Sequence, residues 1–252
     1  MRIYRGISAA ILGLSVAAGL TAAGYFVSQT LYKGRLASNA VTVRGFAEQD
    51  VRADLALWQI GFSVTGSKLS EVYARSDTDE KALIDFLVEK GFARDTIKPG
   101  GVQLTDLLAN PYRPNNLSTS ERYILHDTVT VRSNDVQRVD ATVHALNDLI
   151  RQGIVLTANN VDYQFTKLND IKAPMLRAAT QNARDSAQQF ANDAGSKVGS
   201  IQSASQGFFS IVSRDAADQN SGEENLAYRG GPQSSIDKKV RVVVTLTYYL
   251  ER

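Results

Sequence analysis

Apolar and polar positions change period several times along this chain, and each change marks an element. Val41, Val43 and Gly45 alternate with Thr42, Arg44 and Phe46, the period of a half-buried strand. Glu48–Asp54 leads into a second strand in which Ala56, Trp58, Ile60, Phe62 and Val64 point one way, so the pair reads as a long hairpin or bent ribbon. From Lys68 to Lys90 the period lengthens to that of a helix, with Leu69, Val72, Ser76, Leu83, Phe86 and Leu87 inward and Gly91 at its end. Strand-like residues return over Thr96–Leu108, broken by the turn Lys98-Pro99-Gly100-Gly101 or starting just after it. In Tyr123–Arg132 the side of Tyr123, Leu125, Asp127, Val129 and Val131 opposes that of Ile124, His126, Thr128 and Thr130. Asn134 or Asp135 then caps a helix that buries Val136, Val139, Val143, Leu146 and Ile150, and Gly153 ends it. Ile154–Lys167 follows as a strand with Val161, Tyr163 and Phe165 on one face.

The third helix is the longest. Leu176, Ala179, Ala183, Ala187, Phe190 and Ala194 recur at helical spacing, while Arg177, Gln181, Arg184, Asp185, Gln188 and Asn192 fill the other face. Asp170 is placed to cap its start, Pro174 is tolerable only near the first turn, and Gly195 can take the left-handed conformation that closes the end. A stripe made mostly of alanine requires the helix backbone to lie close to its platform, and the flanking strands predict that the platform is a sheet. Val198–Ser213 reads as a strand containing Phe208, Phe209 and Ile211. Arg214–Ser235 is too polar to bury much and reads as a long loop, as does Asn110–Ser120 with its two prolines. Val240, Val242, Val244, Leu246 and Tyr248 close the chain as a strand placed inside the sheet.

This order predicts an α+β fold: mostly antiparallel or mixed sheets with three helices packed on one face. Leu87–Phe92 and Leu149–Ile154 each end a helix and open a strand alike, as duplicated strand–helix units would, although any such junction favours glycine.

Ahead of this body, Ile7 to Val27 are 21 residues without a charge, about 32 Å as a helix and enough to cross a hydrocarbon core. Arg2 and Arg5 precede the run, and Tyr25 and Phe26 sit at its far end. The sequence divides into a membrane anchor and tether over 1–40 and an exported domain over 41–252, with a cleaved signal as the alternative reading of the first segment. Ser15, Gly19 and Ala23 lie four apart, the small-residue spacing that lets membrane helices touch, in a run where small residues are everywhere. Either reading puts residues 41–252 outside the cytoplasm.

Charge sharpens that division. Residues 1–40 carry four basic residues and no acid, which leaves 24 basic against 26 acidic in the rest. A slightly acidic body offers little to a phosphate backbone, so nucleic acid is set aside as a partner. The chain has no cysteine, which excludes disulfides and thiolate chemistry. Gly61-Phe62-Ser63-Val64-Thr65-Gly66-Ser67-Lys68 is almost a phosphate-binding loop, but Ser67 and Lys68 are reversed and residues 60–64 alternate as a strand. His126 and His144, the two histidines, lie on different elements without metal-ligand spacing. Asp77, Asp79 and Glu80 read as a solvated acidic face, with weak cation binding as the alternative. Ser196-Lys197 and the sequon Asn116-Leu117-Ser118 carry no weight. Tyr112, Arg113, Tyr228 and Arg229 are candidate contact residues for a partner. No catalytic, cofactor-binding or metal-ligating residue is assigned.

Taken in order, Val41–Glu48 (V-T-V-R-G-F-A-E), the strand Leu55–Val64, the glycine turn at Gly91, the strand Tyr123–Arg132 with the helix after it, and the Ala-spaced run Arg177–Gly199 ending A-x-x-A-G-x-K-x-G resemble the SIMPL-domain family. The resemblance spans about residues 41–250. It implies an exported protein of the periplasm or membranes, of the periplasmic immunogenic or oxidative-stress defence type, with relatives that form ring- or channel-like homo-oligomers. It supplies no catalytic residues, cofactor or metal. Most relatives carry a cleavable signal, from which the longer span here departs.

The expectation is therefore a non-enzymatic, single-pass inner-membrane protein, inserted through residues 7–27. Its body would self-associate in the periplasm, in envelope integrity or oxidative-stress defence. The alternatives are a periplasmic small-ligand binder or enzyme using loops 110–120 and 214–235, and an adaptor for another envelope protein.

Overall fold

The computed structural model describes residues 17, 19–25, 27, 28, 39–109, 121–214 and 235–251. Most of the uncharged run, the loop 110–120 and residues 215–234 lie outside them. The described part of 17–28 is helical, with the Thr21 hydroxyl donating to the Ala17 carbonyl at 2.6 Å. Among the described residues no helix is long and apolar enough to cross a membrane.

From residue 39 on, the described residues form an α+β fold with two antiparallel sheets and four α-helices. Its elements are β1 (Ala40–Arg52), β2 (Leu55–Gly66), α1 (Leu69–Glu89), β3 (Ile97–Pro99), β4 (Gln103–Asp106), β5 (Tyr123–Ser133), α2 (Val136–Val143), α3 (Asn147–Arg151), β6 (Val155–Gln164), α4 (Leu168–Asp193), β7 (Lys197–Gln206), β8 (Ser210–Ser213) and β9 (Asp237–Glu251). One sheet has the order β3-β5-β2-β6, with β4 also on β5; the other has β1-β9-β7, with β8 also on β9. The chain divides into two compact units, residues 1–47, 174–208 and 242–252, and residues 48–173 and 209–241. β1, α4 and β9 contribute residues to both.

The larger unit is built on β2. Ala56, Trp58, Ile60 and Phe62 are fully buried on one face, as their alternation predicts. Val129 and Val131 of β5 join them, against Leu83 and Leu87 of α1 and Val139, Leu146 and Leu149 of the second helical segment. Trp58 donates its indole N–H to Asn159 Oδ1 at 2.8 Å and tilts against Phe92, ring centres 6.1 Å apart. The Asp135 carboxylate caps α2 by accepting from the Arg138 N–H at 3.0 Å.

Four sequence expectations need correction here. β1 and β2 do not form a hairpin: β1 pairs with β9, and β2 with β5 and β6. The chain changes sheet at Ala53 and Asp54, whose N–H groups go to different neighbours, the Ile236 and Gln164 carbonyls. The second helix is two helices, because residues 144–146 form a 3₁₀ turn between α2 and α3. The tighter turn rotates the buried face, so Leu149 is buried and Ile150 is 52% exposed. Leu69, at the exposed start of α1, is outside the core and Ile84 is within it. Val198–Ser213 is likewise two strands, broken at residues 207–209, with Phe208 in the open.

The smaller unit packs α4, from Pro174 onward, on the strands β1, β9 and β7. Its buried stripe is Met175, Ala179, Ala183, Ala187 and Ala191, every fourth residue. The predicted Leu176–Phe190–Ala194 edge of that stripe is wrong: Phe190 is 61% exposed, because a strict four-residue repeat drifts round the helix away from it. A Cβ at Gly45 of β1 would fall on the Ala179 carbonyl and the Ala183 backbone nitrogen, and 2.7 Å from the Ala183 Cβ. Glycine under alanine thus brings helix backbone onto strand backbone. Val242, Val244, Leu246 and Tyr248 of the central β9 complete this core. Gly91, Gly153 and Gly195, at the helix ends, all have positive φ.

Candidate functional site

Residues 61–68 do not form a phosphate loop. β2 runs through Gly66, and Gly61 is paired with Thr128 on one side and Ala158 on the other. Its amides therefore serve the ladder and cannot converge on an anion. His126 lies exposed on β5 and His144 exposed in the 3₁₀ turn. Among the described residues no group of three or more His, Asp or Glu side chains is arranged to hold a metal. Tyr112, Arg113, Tyr228 and Arg229 lie outside the described residues.

The acidic stretch of α1 is less solvated than its sequence suggests. Asp77 accepts from Lys81 Nζ at 2.6 Å, but the Asp79 side chain is only 15% exposed, 4.0 Å from Arg75 Nε. Burial pushes the Asp79 carboxyl above its ordinary range, against the pull of Arg75. Glu80 is also pushed up, by burial first and then by Asp127 and Asp77, with Lys81 opposing. Asp127 is buried on β5, held by an N–H from Thr128 at 2.7 Å, and the buried Ser76 hydroxyl on α1 has no hydrogen-bond partner among the described residues. Elsewhere in the same unit burial pulls the Lys238 ammonium down while Asp162 pushes it up. The Tyr163 hydroxyl, 3.4 Å from Asp140 Oδ1, is pushed up to about 12 by burial and then by that carboxylate. None of these groups lines either of the recesses that hold arginines.

Two surface recesses contain arginines, and they differ. The first, about 350 Å³, lies at the end of α1 beside Thr96, Asn134 and Arg138. Arg138 is committed there: it donates to the Gly91 carbonyl at 2.6 Å and lies 3.1 Å from Asp135 Oδ2. Arg138 is thus a structural clamp, while Arg132 of β5 also lines this recess.

The second recess belongs to the smaller unit and has a cavity volume of about 640 Å³, within the usual size range for ligand pockets. One wall is α4, through Leu176, Arg177, Thr180, Gln181 and Arg184. The other is β7, through Gly199, Ser200 and Ile201, and Tyr248 of β9 also lines it. Its origin is the glycine–alanine contact: α4 sits down over Gly45 of β1, and β7, at the other edge of this sheet, stays almost wholly exposed. Ile201, opposite Tyr248 in register, is 51% exposed. Arg177 and Arg184 have no hydrogen bond or ion pair among the described residues; Asp185, beside them, takes the Gln181 amide at 2.7 Å. The sequence reading placed both arginines on the polar face but did not single them out. The signal was there: positions three and four residues either side of each hold no acid, so neither has a helical ion-pair partner.

An α+β body of antiparallel sheets carrying this alanine-striped helix defines the class. The chain belongs to the SIMPL family, whose model, described as "Protein of unknown function (DUF541)", matches residues 41–248. Comparison with curated proteins finds no match.

Proposed function

We propose that this chain is a non-enzymatic SIMPL protein held in the inner membrane by residues 7–27. Its body, residues 41–252, stands in the periplasm and associates with copies of itself, serving envelope integrity or oxidative-stress defence. One observation carries the reading: an uncharged 21-residue run, Ile7 to Val27, behind Arg2 and Arg5 precedes a family body that starts at residue 41. Support for self-association comes from exposed apolar side chains on or next to strands of one sheet, Phe46 (50%), Ile201 (51%) and Phe208 (93%). Exposed histidines on separate elements support a role other than catalysis.

The test uses the full chain. Membranes should retain it after alkaline carbonate washing, and protease added to spheroplasts should digest the body. In detergent, light scattering coupled to size exclusion should give a multiple of the 27.4 kDa chain mass. A body protected from external protease would overturn the topology, and a strict monomer at high concentration would overturn the assembly.

A second reading, a periplasmic binding protein, is favoured by the α4–β7 groove, with its two uncommitted arginines. The loops 110–120 and 214–235, to which the sequence assigned that role, fall outside the described residues except for Arg214 and Ser235.

A further inference from the structure

We propose that the groove between α4 and β7 receives an extended acidic segment of a partner polypeptide. The segment adds as a strand to the open edge of β7 and sets its carboxylates against Arg177 and Arg184. Three observations converge on this occupant. The first is the edge itself: β7 ends the order β1-β9-β7, so one side of its backbone has no strand partner among the described residues. Gly199, Ser200 and Ile201, which line the groove, fall in the irregular stretch between Val198 and Ser203, and Ser203, Ala204, Ser205 and Gln206 continue from it in regular register with β9, offering a regular template for an added strand.

The second is charge. Two guanidiniums without ion-pair partners face one groove, and its lining residues include no acid. Two acids border it: Asp185, next to Arg184 and taken up by the Gln181 amide at 2.7 Å, and Glu251 at the Gly199 end, where a Cβ on Gly199 would meet Glu251 Oε1 at 2.6 Å. Arginine offers a planar fork to a carboxylate, so this surplus selects an anion and not merely a polar ligand. The third is spacing. Arg177 and Arg184 are two helical turns apart, about 10 Å along the axis. Side chains at alternate positions of an added strand lie about 7 Å apart on one face, and the long arginine stems cover the difference. Leu176 and Ile201 also line the groove, so small apolar residues suit the remaining inward positions.

The inference shares Ile201 with the self-association reading but rests on the open edge of β7 and on Arg177 and Arg184, which that reading does not use. Its test is fluorescence anisotropy with full-length protein in detergent, at low and high salt. The probe is a labelled peptide of alternating glutamate and valine. Binding should weaken with salt and fall at least about tenfold in the Arg177→Gln/Arg184→Gln protein. It should fall comparably when alternate peptide amides are N-methylated, which removes strand pairing and keeps the charge. A lysine–valine peptide should not bind, and Arg132→Gln, on β5, should change nothing. Undiminished binding by the double variant would overturn the site. Equal binding of the methylated peptide would reduce it to ion attraction and overturn strand addition. Phosphatidylglycerol vesicles bound through the same arginines, with the peptide unbound, would assign the groove to lipid and overturn the proposal. The double variant should keep the parent's oligomeric mass; dissociation would make the occupant a second copy of this chain and overturn the choice of partner.

Discussion

The two units solve the same packing problem, helix on sheet, with opposite materials. In the larger unit the space between layers is filled by side chains: Trp58, Ile60, Phe62, Leu83, Leu87 and Leu149 are all fully buried. Of the largest fully buried side chains among the described residues, only Val242 belongs to the smaller unit. There the helix contributes one methionine and four alanines, and Gly45 removes even the Cβ beneath them. The first arrangement gains stability from transferred apolar area, the second from backbone proximity and dispersion between small groups. They should therefore fail in opposite ways, the larger unit when a side chain is cut down and the smaller when one is added.

The largest expected effect is Trp58→Ala. It leaves a cavity beside Phe92 and removes the donor to Asn159 Oδ1, and such truncations cost about 3–5 kcal/mol. Urea unfolding followed by circular dichroism should show a loss of that order. A loss under about 1 kcal/mol would mean that the larger core is not held by its side chains. Next comes Gly45→Val, where the added carbons meet helix backbone that cannot rotate away. Overpacking of this kind costs about 1–3 kcal/mol. Hydrogen exchange should report it as faster exchange in α4 and β7, with β2 and β5 unchanged. Tolerance of valine would break the comparison, since the smaller unit would then have room to spare.

How far all this was legible follows the same contrast. Alternation in β2, β5 and β9 was readable because large apolar residues mark a two-residue period without ambiguity, and Ala56 to Val64 fell where the pattern put them. The alanine helix was found, but its buried edge was misplaced. Phe190 drew the stripe toward itself, as a large apolar residue does in any reading weighted by hydrophobicity, while the true stripe held only the small residues that close contact permits. Strand partners were not legible at all: that β1 leaves its chain neighbour β2 for β9 depends on contacts some two hundred residues apart, such as the Thr42 and Thr247 hydroxyls 3.0 Å from each other. The groove was half visible. Its arginines were on the page, but their surroundings depend on where α4 sits over the sheet, which Gly45 decides.

Glu80 gives the smallest expected effect and sharpens the comparison from another side, because it tests polar groups at the border of the side-chain-filled core. Asp127 faces it from β5, and Asp77, Asp79, Lys81 and Arg75 share its helix α1. Burial, then Asp127, then Asp77 hold its carboxyl above the ordinary glutamate range. A group raised in the folded state contributes stability that is fully present below its unfolded value and is lost as pH rises through the folded one. At pH 7 the ionised Glu80 therefore weighs against folding, and Glu80→Gln, neutral throughout, should stabilise the protein there. The gain should stay below about 1 kcal/mol, since the site is partly solvated, and should fade as pH falls through the ordinary glutamate range. Thermal melts of both proteins across that range provide the measurement. A glutamine variant less stable at pH 7 would mean that the carboxylate is held by favourable contacts, and that the border of the larger core is polar by design and not merely tolerant of charge.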